Sequence, residues 1–123
     1  MKSLIQLFVA VQFAPFAFAA GAHFGVFTDK NDHGAGTAEA EIVLVLLAGL
    51  ALTFTRATDV RPVALTVQGF ALLGTLIGVT LVLTVGPTTA FDLTVHSIML
   101  ITLLAGLATT MRAPRSVSSA RPA

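Results

Sequence analysis

The sequence contains no cysteine, no tryptophan and no tyrosine. Without cysteine the chain forms no disulfide, carries no thiolate nucleophile and offers no sulfur ligand to a metal ion. The absence of tryptophan and tyrosine removes the aromatic belt that membrane helices commonly place at the lipid–water interface. The formal net charge is only +1, so electrostatics give no argument for a nucleic-acid partner.

Charged side chains are also scarce: they make up 11% of the 123 residues, whereas 55% are hydrophobic. A soluble domain of this length needs more polar surface than this composition supplies. The apolar residues form continuous blocks and do not alternate with polar ones, which favours membrane helices over a β-barrel. We therefore expect an integral membrane protein built from α-helices.

Four apolar runs are long enough to suggest membrane spans, at about 4–27, 40–55, 62–85 and 90–111. They predict a small polytopic all-α protein whose residues 1–111 form an up-and-down four-helix transmembrane bundle, followed by a disordered cytoplasmic tail at 112–123. The apolar part of the second run, from residue 42 to residue 55, would be only about 21 Å long as a helix. Since the hydrocarbon core is roughly 30 Å thick, this helix must extend beyond its apolar part.

Local signals suggest where two of these helices begin. Thr37 is a plausible N-cap for the second helix. Thr89 followed by Asp92 forms a T-x-x-D capping box for the fourth. The first run, with Lys2 and small residues at positions 17 and 19, also fits a cleavable signal peptide. Its apolar continuation to residue 27 favours a retained helix.

Several ionisable residues are predicted to lie at one depth of the bundle, in its outer leaflet. His23 ends the first run, and Asp92 and His96 lie one turn apart on one face of the fourth. Because the first and fourth helices of such a bundle are neighbours, the two imidazoles should approach each other. A metal or haem site made by His23 and His96, with Asp92 and Glu41 as further ligand candidates, is one hypothesis.

Two other interpretations of this layer remain open. Asp92, His96 and Glu41 could form a path for protons or ions, since ionisable groups inside membranes often serve transport. Alternatively, the histidines could be neutral packing residues that form hydrogen bonds between helices, which is the interpretation we favour from the sequence. No catalytic residue and no resident cofactor is predicted; haem or copper is the alternative.

Two surfaces carry packing predictions. Ala71, Gly74 and Gly78 form a small-residue stripe on the third helix, which should pack inside the bundle because it admits a neighbouring backbone. Phenylalanines occur around more than one face of the first helix. The candidates for contact with another subunit are Phe8, Phe13 and Phe16.

These features favour a non-catalytic accessory subunit of a larger membrane complex, such as a transporter or respiratory assembly. The soluble segments are too short for a catalytic domain. The expected partners are membrane lipids and larger integral subunits. The alternatives are a haem- or metal-binding redox protein using His23 and His96, and a small homo-oligomeric proton-coupled transporter.

Charge distribution predicts the orientation. With four spans, six of the seven lysines and arginines fall on one side of the membrane, and the acidic loop at 28–41, which contains Lys30, falls on the other. The six are Lys2, Arg56, Arg61, Arg112, Arg115 and Arg121. The positive-inside rule then places both termini in the cytoplasm. Residue usage suggests a bacterial protein, so the expected location is the inner membrane.

This orientation can be tested with reporters that are active only in the cytoplasm. A reporter at residue 123 should be active and one at Gly36 should be silent, because an odd number of spans separates them. A silent C-terminal reporter, or an active one at Gly36, would reject the orientation.

Overall fold

The computed structural model describes residues 1–55 and 59–114, which form four α-helices. They are α1 (Lys2–His23), α2 (His33–Phe54), α3 (Val60–Thr84) and α4 (Ala90–Arg112). Each is long and apolar enough to cross a membrane, and the described ranges contain no strand. The predicted all-α fold with four membrane-length helices is thus confirmed. Arg56 and the tail from 115 to 123 lie outside the described residues.

The helices form a ring in which each packs against its neighbours in sequence, and α1 closes the ring by packing on α4. Short connections make consecutive helices antiparallel. The bundle therefore has two chemically different ends. The basic end carries Lys2, Arg61 and Arg112, whereas the acidic end carries the loop at 24–32, with Asp29 and Asp32, and the turn at 85–89.

Buried positions recur at intervals of three and four residues along every helix, the spacing that gives knobs-into-holes packing between nearly parallel helices. On α2 they are Gly36, Glu39, Ile42, Leu46, Gly49 and Thr53. On α4 they are Asp92, Val95, Met99, Leu103, Gly106 and Thr110. The outward faces carry Leu, Ile and Phe side chains suited to lipid. The inward stripes also include small and polar residues, such as Gly49 on α2 and Thr110 on α4.

The first helix ends at His23 and not near residue 27 as predicted. Gly25 has a positive φ of 73°, which a glycine adopts at no steric cost. The Val26 amide donates to the Gly21 carbonyl at 2.9 Å, and the Gly25 amide to the Ala22 carbonyl at 3.1 Å. These bonds form a Schellman motif. It stops the helix although the sequence remains apolar.

The second helix begins at His33, a full two turns before the predicted start near residue 40. Asp32 is the N-cap, because its carboxylate accepts from the Ala35 amide at 3.0 Å. The prediction that Thr37 caps this helix is wrong: its hydroxyl donates to the His33 carbonyl from within the second turn. The helix thus reaches membrane length by extension at its N-terminus.

The cap of α4 agrees with the sequence. The Asp92 amide donates to the Thr89 hydroxyl oxygen at 3.2 Å. That hydroxyl in turn donates to the Asp92 carboxylate at 2.5 Å.

The structure changes the choice of insertion site for the orientation reporter. Gly36 lies inside α2 against Phe24, so a reporter inserted there would disturb the helix. Asp29 in the exposed part of the loop is the better insertion site.

The half of the bundle towards the basic end is crossed by buried amides. Gln12 Nε2 donates to Gln68 Oε1 and to the Thr102 carbonyl, both at 3.0 Å. Gln68 Nε2 donates to the Thr110 hydroxyl at 3.0 Å. Gly106 leaves the room for the two amides, since a Cβ there would lie 2.2 Å from Gln12 Nε2. These bonds join α1, α3 and α4 in a medium that offers no water.

The approach of α2 to α3 depends on Gly49. A Cβ at this position would lie 2.4 Å from Val67 Cγ1 and 3.0 Å from Val67 Cβ. Because Val67 is β-branched and buried, it cannot turn away. We expect Gly49→Ala to push the helices apart and lower the free energy of unfolding by about 1–3 kcal/mol.

Gly69→Ala is the matched control, since nothing lies within 4 Å of a Cβ there. It should leave stability unchanged or raise it, because alanine favours a helix by about 1 kcal/mol over glycine. Unfolding of both variants in detergent decides the matter. Equal stability of the two would contradict the close packing at Gly49.

Candidate functional site

Four ionisable side chains converge at the acidic end: His23, Lys30, Glu39 and Asp92, called here the charged cluster. His23 Nδ1 lies 2.7 Å from Glu39 Oε2, and His23 Nε2 lies 3.4 Å from Asp92 Oδ1. Lys30 Nζ donates to the same Asp92 oxygen. Both carboxylates are therefore faced by a nitrogen that can carry positive charge, and both His23 nitrogens face a carboxylate.

The helical stripes place three members of the cluster inside the bundle. His23 ends the inward stripe of α1, Glu39 lies in the second turn of α2, and Asp92 lies in the first turn of α4. Their residues are 6%, 7% and 7% exposed, respectively. A buried charge without a partner is costly. Mutual pairing is what permits these groups to be buried.

The fourth member comes from the loop at 24–32, which is fixed to the bundle at several points. The Asp32 amide donates to the His23 carbonyl at 2.9 Å, and the Thr28 hydroxyl donates to the Ala22 carbonyl at 2.6 Å. Phe27 stacks on Phe18 with ring centroids 5.0 Å apart. These contacts direct Lys30 back over the end of the bundle towards α4.

Lys30 binds there in a mixed environment. Besides its bond to Asp92, its ammonium nitrogen lies 4.6 Å from the centroid of the Phe91 ring. An ammonium over an aromatic face is attracted by the negative potential of the ring. The side chain of Lys30 remains 28% exposed, so this cation lies at the edge of the cluster and not in its interior.

His96 lies one turn beyond Asp92 but contacts it through the backbone. Its Nδ1 is 2.8 Å from the Asp92 carbonyl oxygen. Because a carbonyl oxygen only accepts hydrogen bonds, Nδ1 is the donor, and in the neutral ring Nε2 is then an acceptor. None of the described residues forms a hydrogen bond with Nε2. This atom faces Gly78, and a Cβ added to Gly78 would lie 3.0 Å from it.

A cavity of about 800 Å³ adjoins the cluster between α2, α3 and α4. One wall is polar and includes the four cluster residues and His96. The other walls are apolar and include Ile42, Phe70, Leu73, Ile77 and Leu81. Four of these residues lie on α3 and also have exposed side chains: Phe70, Leu73, Ile77 and Leu81. The cavity thus borders the outward face of α3, and its volume is typical of a small-molecule site.

The predicted outer layer is only partly assembled. His23 and Asp92 come together, whereas His96 reaches Asp92 only through its carbonyl oxygen. Glu41 is exposed at the rim of the cavity, and Glu39 takes the buried position beside His23. Within the described ranges, no three His, Asp or Glu side chains are arranged to hold a metal ion. The ligand role predicted for Glu41 is thus not supported by its position.

The small-residue stripe of α3 faces its neighbours in the bundle. Ala71 is fully buried. A Cβ on Gly74 would lie 2.7 Å from Ile42 Cδ1, and one on Gly78 would meet His96. Both glycines also line the cavity, so they contribute to its volume as well as to helix packing.

The predicted partner surface needs a correction at Phe16. This side chain is 1% exposed and belongs to the core, because it continues the inward stripe of α1. It cannot offer a contact to another subunit. Phe8 and Phe13 are half-buried, and association with larger subunits stays a prediction.

Two residues of the site, Glu39 and Lys30, were not among the site residues predicted from the sequence. Continuing the stripe of α2 back by three residues from Ile42 reaches Glu39, which identifies it as the inward carboxylate. Lys30 is the only lysine or arginine between the first two runs. That isolation could have marked it as a partner for the surrounding carboxylates.

Comparison with known proteins assigns no family, because no family model, no curated protein and no solved structure matches the chain. Function is therefore inferred from the geometry of the charged cluster and its cavity.

The pairing of His23 with Glu39 can be tested by stability. Glu39→Ala should lower the free energy of unfolding by about 1–3 kcal/mol, because it leaves a buried nitrogen of the His23 ring without its hydrogen-bond partner. Glu41→Ala removes the same side chain two residues away, where it is exposed, and should have little effect. If the two variants unfold alike in detergent, Glu39 is not the buried partner of His23.

Proposed function

We propose that this protein is a non-catalytic membrane protein that binds a small amphiphilic molecule in the cavity at the acidic end. The observation that carries the proposal is the cavity itself. Its volume is about 800 Å³, and it joins a polar wall to apolar walls. Sites for small molecules are commonly lined by apolar groups with a few converging polar ones.

The two parts of an amphiphile match the two kinds of wall. The apolar part would pack against Ile42, Leu73 and Ile77, where an unfilled space would leave these side chains without dispersion contacts. The polar part would lie at the charged cluster and at His96 Nε2, which has no hydrogen bond to any described residue. A ligand would thus use the one ring nitrogen of this wall that remains available.

The position of the cavity suggests access from the bilayer. Phe70, Leu73, Ile77 and Leu81 line the cavity and are also exposed on the outward face of α3. A molecule already dissolved in lipid could pass between these side chains without crossing water. Ionisable groups within membrane spans commonly mark such ligand or ion sites.

We further propose that the protein resides in a bacterial inner membrane with both termini in the cytoplasm. The clustering of Lys2, Arg61 and Arg112 at one end supports this orientation through the positive-inside rule. The acidic end and its cavity would then lie in the outer leaflet. A ligand would be received from the side of the membrane that faces away from the cytoplasm.

Photolabelling with a diazirine-bearing octanol tests the binding function. In lipid nanodiscs, labelling should saturate and concentrate on α3 residues that line the cavity. Ala38→Phe places a ring at the cavity wall and should reduce labelling about tenfold, which corresponds to about 1.4 kcal/mol of binding free energy.

Ala48→Phe is the matched control, since Ala48 is also exposed on α2 but does not line the cavity. Its labelling should equal that of the unaltered protein. Labelling that rises without saturation, is spread over all lipid-facing helices and is unchanged in Ala38→Phe would contradict the proposal.

A further inference from the structure

We infer that the polar group of the amphiphile is a primary ammonium, and that it competes with the ammonium of Lys30 for Asp92. This inference rests on the proposed binding function and adds the chemical class of the ligand. It also assigns Lys30 a specific role, as an internal occupant of the position that the ligand headgroup takes.

The binding mode of Lys30 shows what the polar wall accepts. Its ammonium donates to Asp92 Oδ1 and lies over the Phe91 ring, 4.6 Å from the centroid. A carboxylate on one side and an aromatic face on the other form a good environment for an ammonium ion. Asp92 also lines the cavity, so its carboxylate would attract a ligand ammonium in the same way.

Lys30 is suited to be displaced. It is held by the loop at 24–32 and not by a helix, and its side chain is 28% exposed, compared with 10% for that of Asp92. A lysine that leaves Asp92 can extend its ammonium into water. The loop itself stays attached through Asp32, Thr28 and Phe27, so displacement needs only a change of side-chain rotamers.

The charge of the wall favours a cation. The carboxylates of Asp32, Glu39, Glu41 and Asp92 line the cavity, and Lys30 is the only lysine or arginine among its described lining residues. An anionic headgroup would meet these carboxylates, and a neutral one that displaced Lys30 would leave Asp92 without this cation. An incoming ammonium replaces the charge that departs with Lys30.

The position of His96 favours a primary ammonium over a quaternary one. Nε2 of the neutral ring is an acceptor on the same cavity wall as Asp92. A primary ammonium has three N–H donors and can serve both acceptors. A quaternary ammonium has none, so it would retain the attraction to Asp92 but lose the hydrogen bonds.

The first test compares octylammonium with octanol, which has the same tail and a neutral headgroup. Binding is measured calorimetrically to the full chain in lipid nanodiscs, with empty nanodiscs subtracted. Octylammonium should bind the unaltered protein more tightly than octanol. Lys30→Met should raise the affinity for octylammonium about tenfold, because it removes a competing ammonium at a partly exposed site, and Lys2→Met, the control at the basic end, should not.

The second test needs no substitution and so does not depend on the variants folding. The chain has two lysines, so ¹³Cε-lysine labelling gives two side-chain signals. The Lys30 signal should carry the ring-current shift of Phe91. Saturating octylammonium should move it towards the Lys2 signal, whereas octanol should not.

The outcomes separate this inference from the proposed function. Equal binding of octylammonium and octanol, with an unmoved Lys30 signal, would overturn the ammonium inference and leave the amphiphile site standing. If neither compound binds saturably and photolabelling is unaffected by Ala38→Phe, both the site and the inference fail. Tighter binding of octylammonium, with displacement of Lys30, supports both.

Discussion

The pairing of Glu39 and Asp92 with His23 and Lys30 is the interaction on which the acidic end of the bundle depends. Burying two carboxylates at membrane depth is unfavourable unless each has a charged or hydrogen-bonding partner. The partners come from α1 and from the loop that follows it, so the cluster joins α1, α2 and α4. Loss of one member would leave another buried and unpaired, which makes this end of the bundle cooperative.

The two halves of the bundle accommodate their buried polar side chains differently. Towards the basic end, Gln12 donates a hydrogen bond to Gln68, and the two amides fill the space beside Gly106, although Gln12 Oε1 has no hydrogen-bond partner among the described residues. Towards the acidic end, the paired charges adjoin a cavity of about 800 Å³. The first half is closed by packing and hydrogen bonds. The second retains a volume bordered by the charged cluster and His96, which is why ligand binding is proposed there.

The sequence was sufficient for the four membrane helices because long apolar runs without alternation have few other solutions. It also identified the cap at Thr89 and brought His23 and Asp92 to one depth. It failed where apolar composition hides a backbone signal: α1 ends at the Gly25 turn within an apolar stretch. Lipid-facing and buried residues are alike apolar here, so hydropathy could not show that Phe16 faces inward.

The assignment of a ligand cavity is tested most directly by an experimental structure of the protein extracted with its native lipids. Our account predicts an elongated non-protein density between α2 and α3, with its polar end within hydrogen-bonding distance of Asp92 or His96. A bundle in which α2 and α3 close over this volume, with Glu39 and Asp92 turned outward to water, would contradict it.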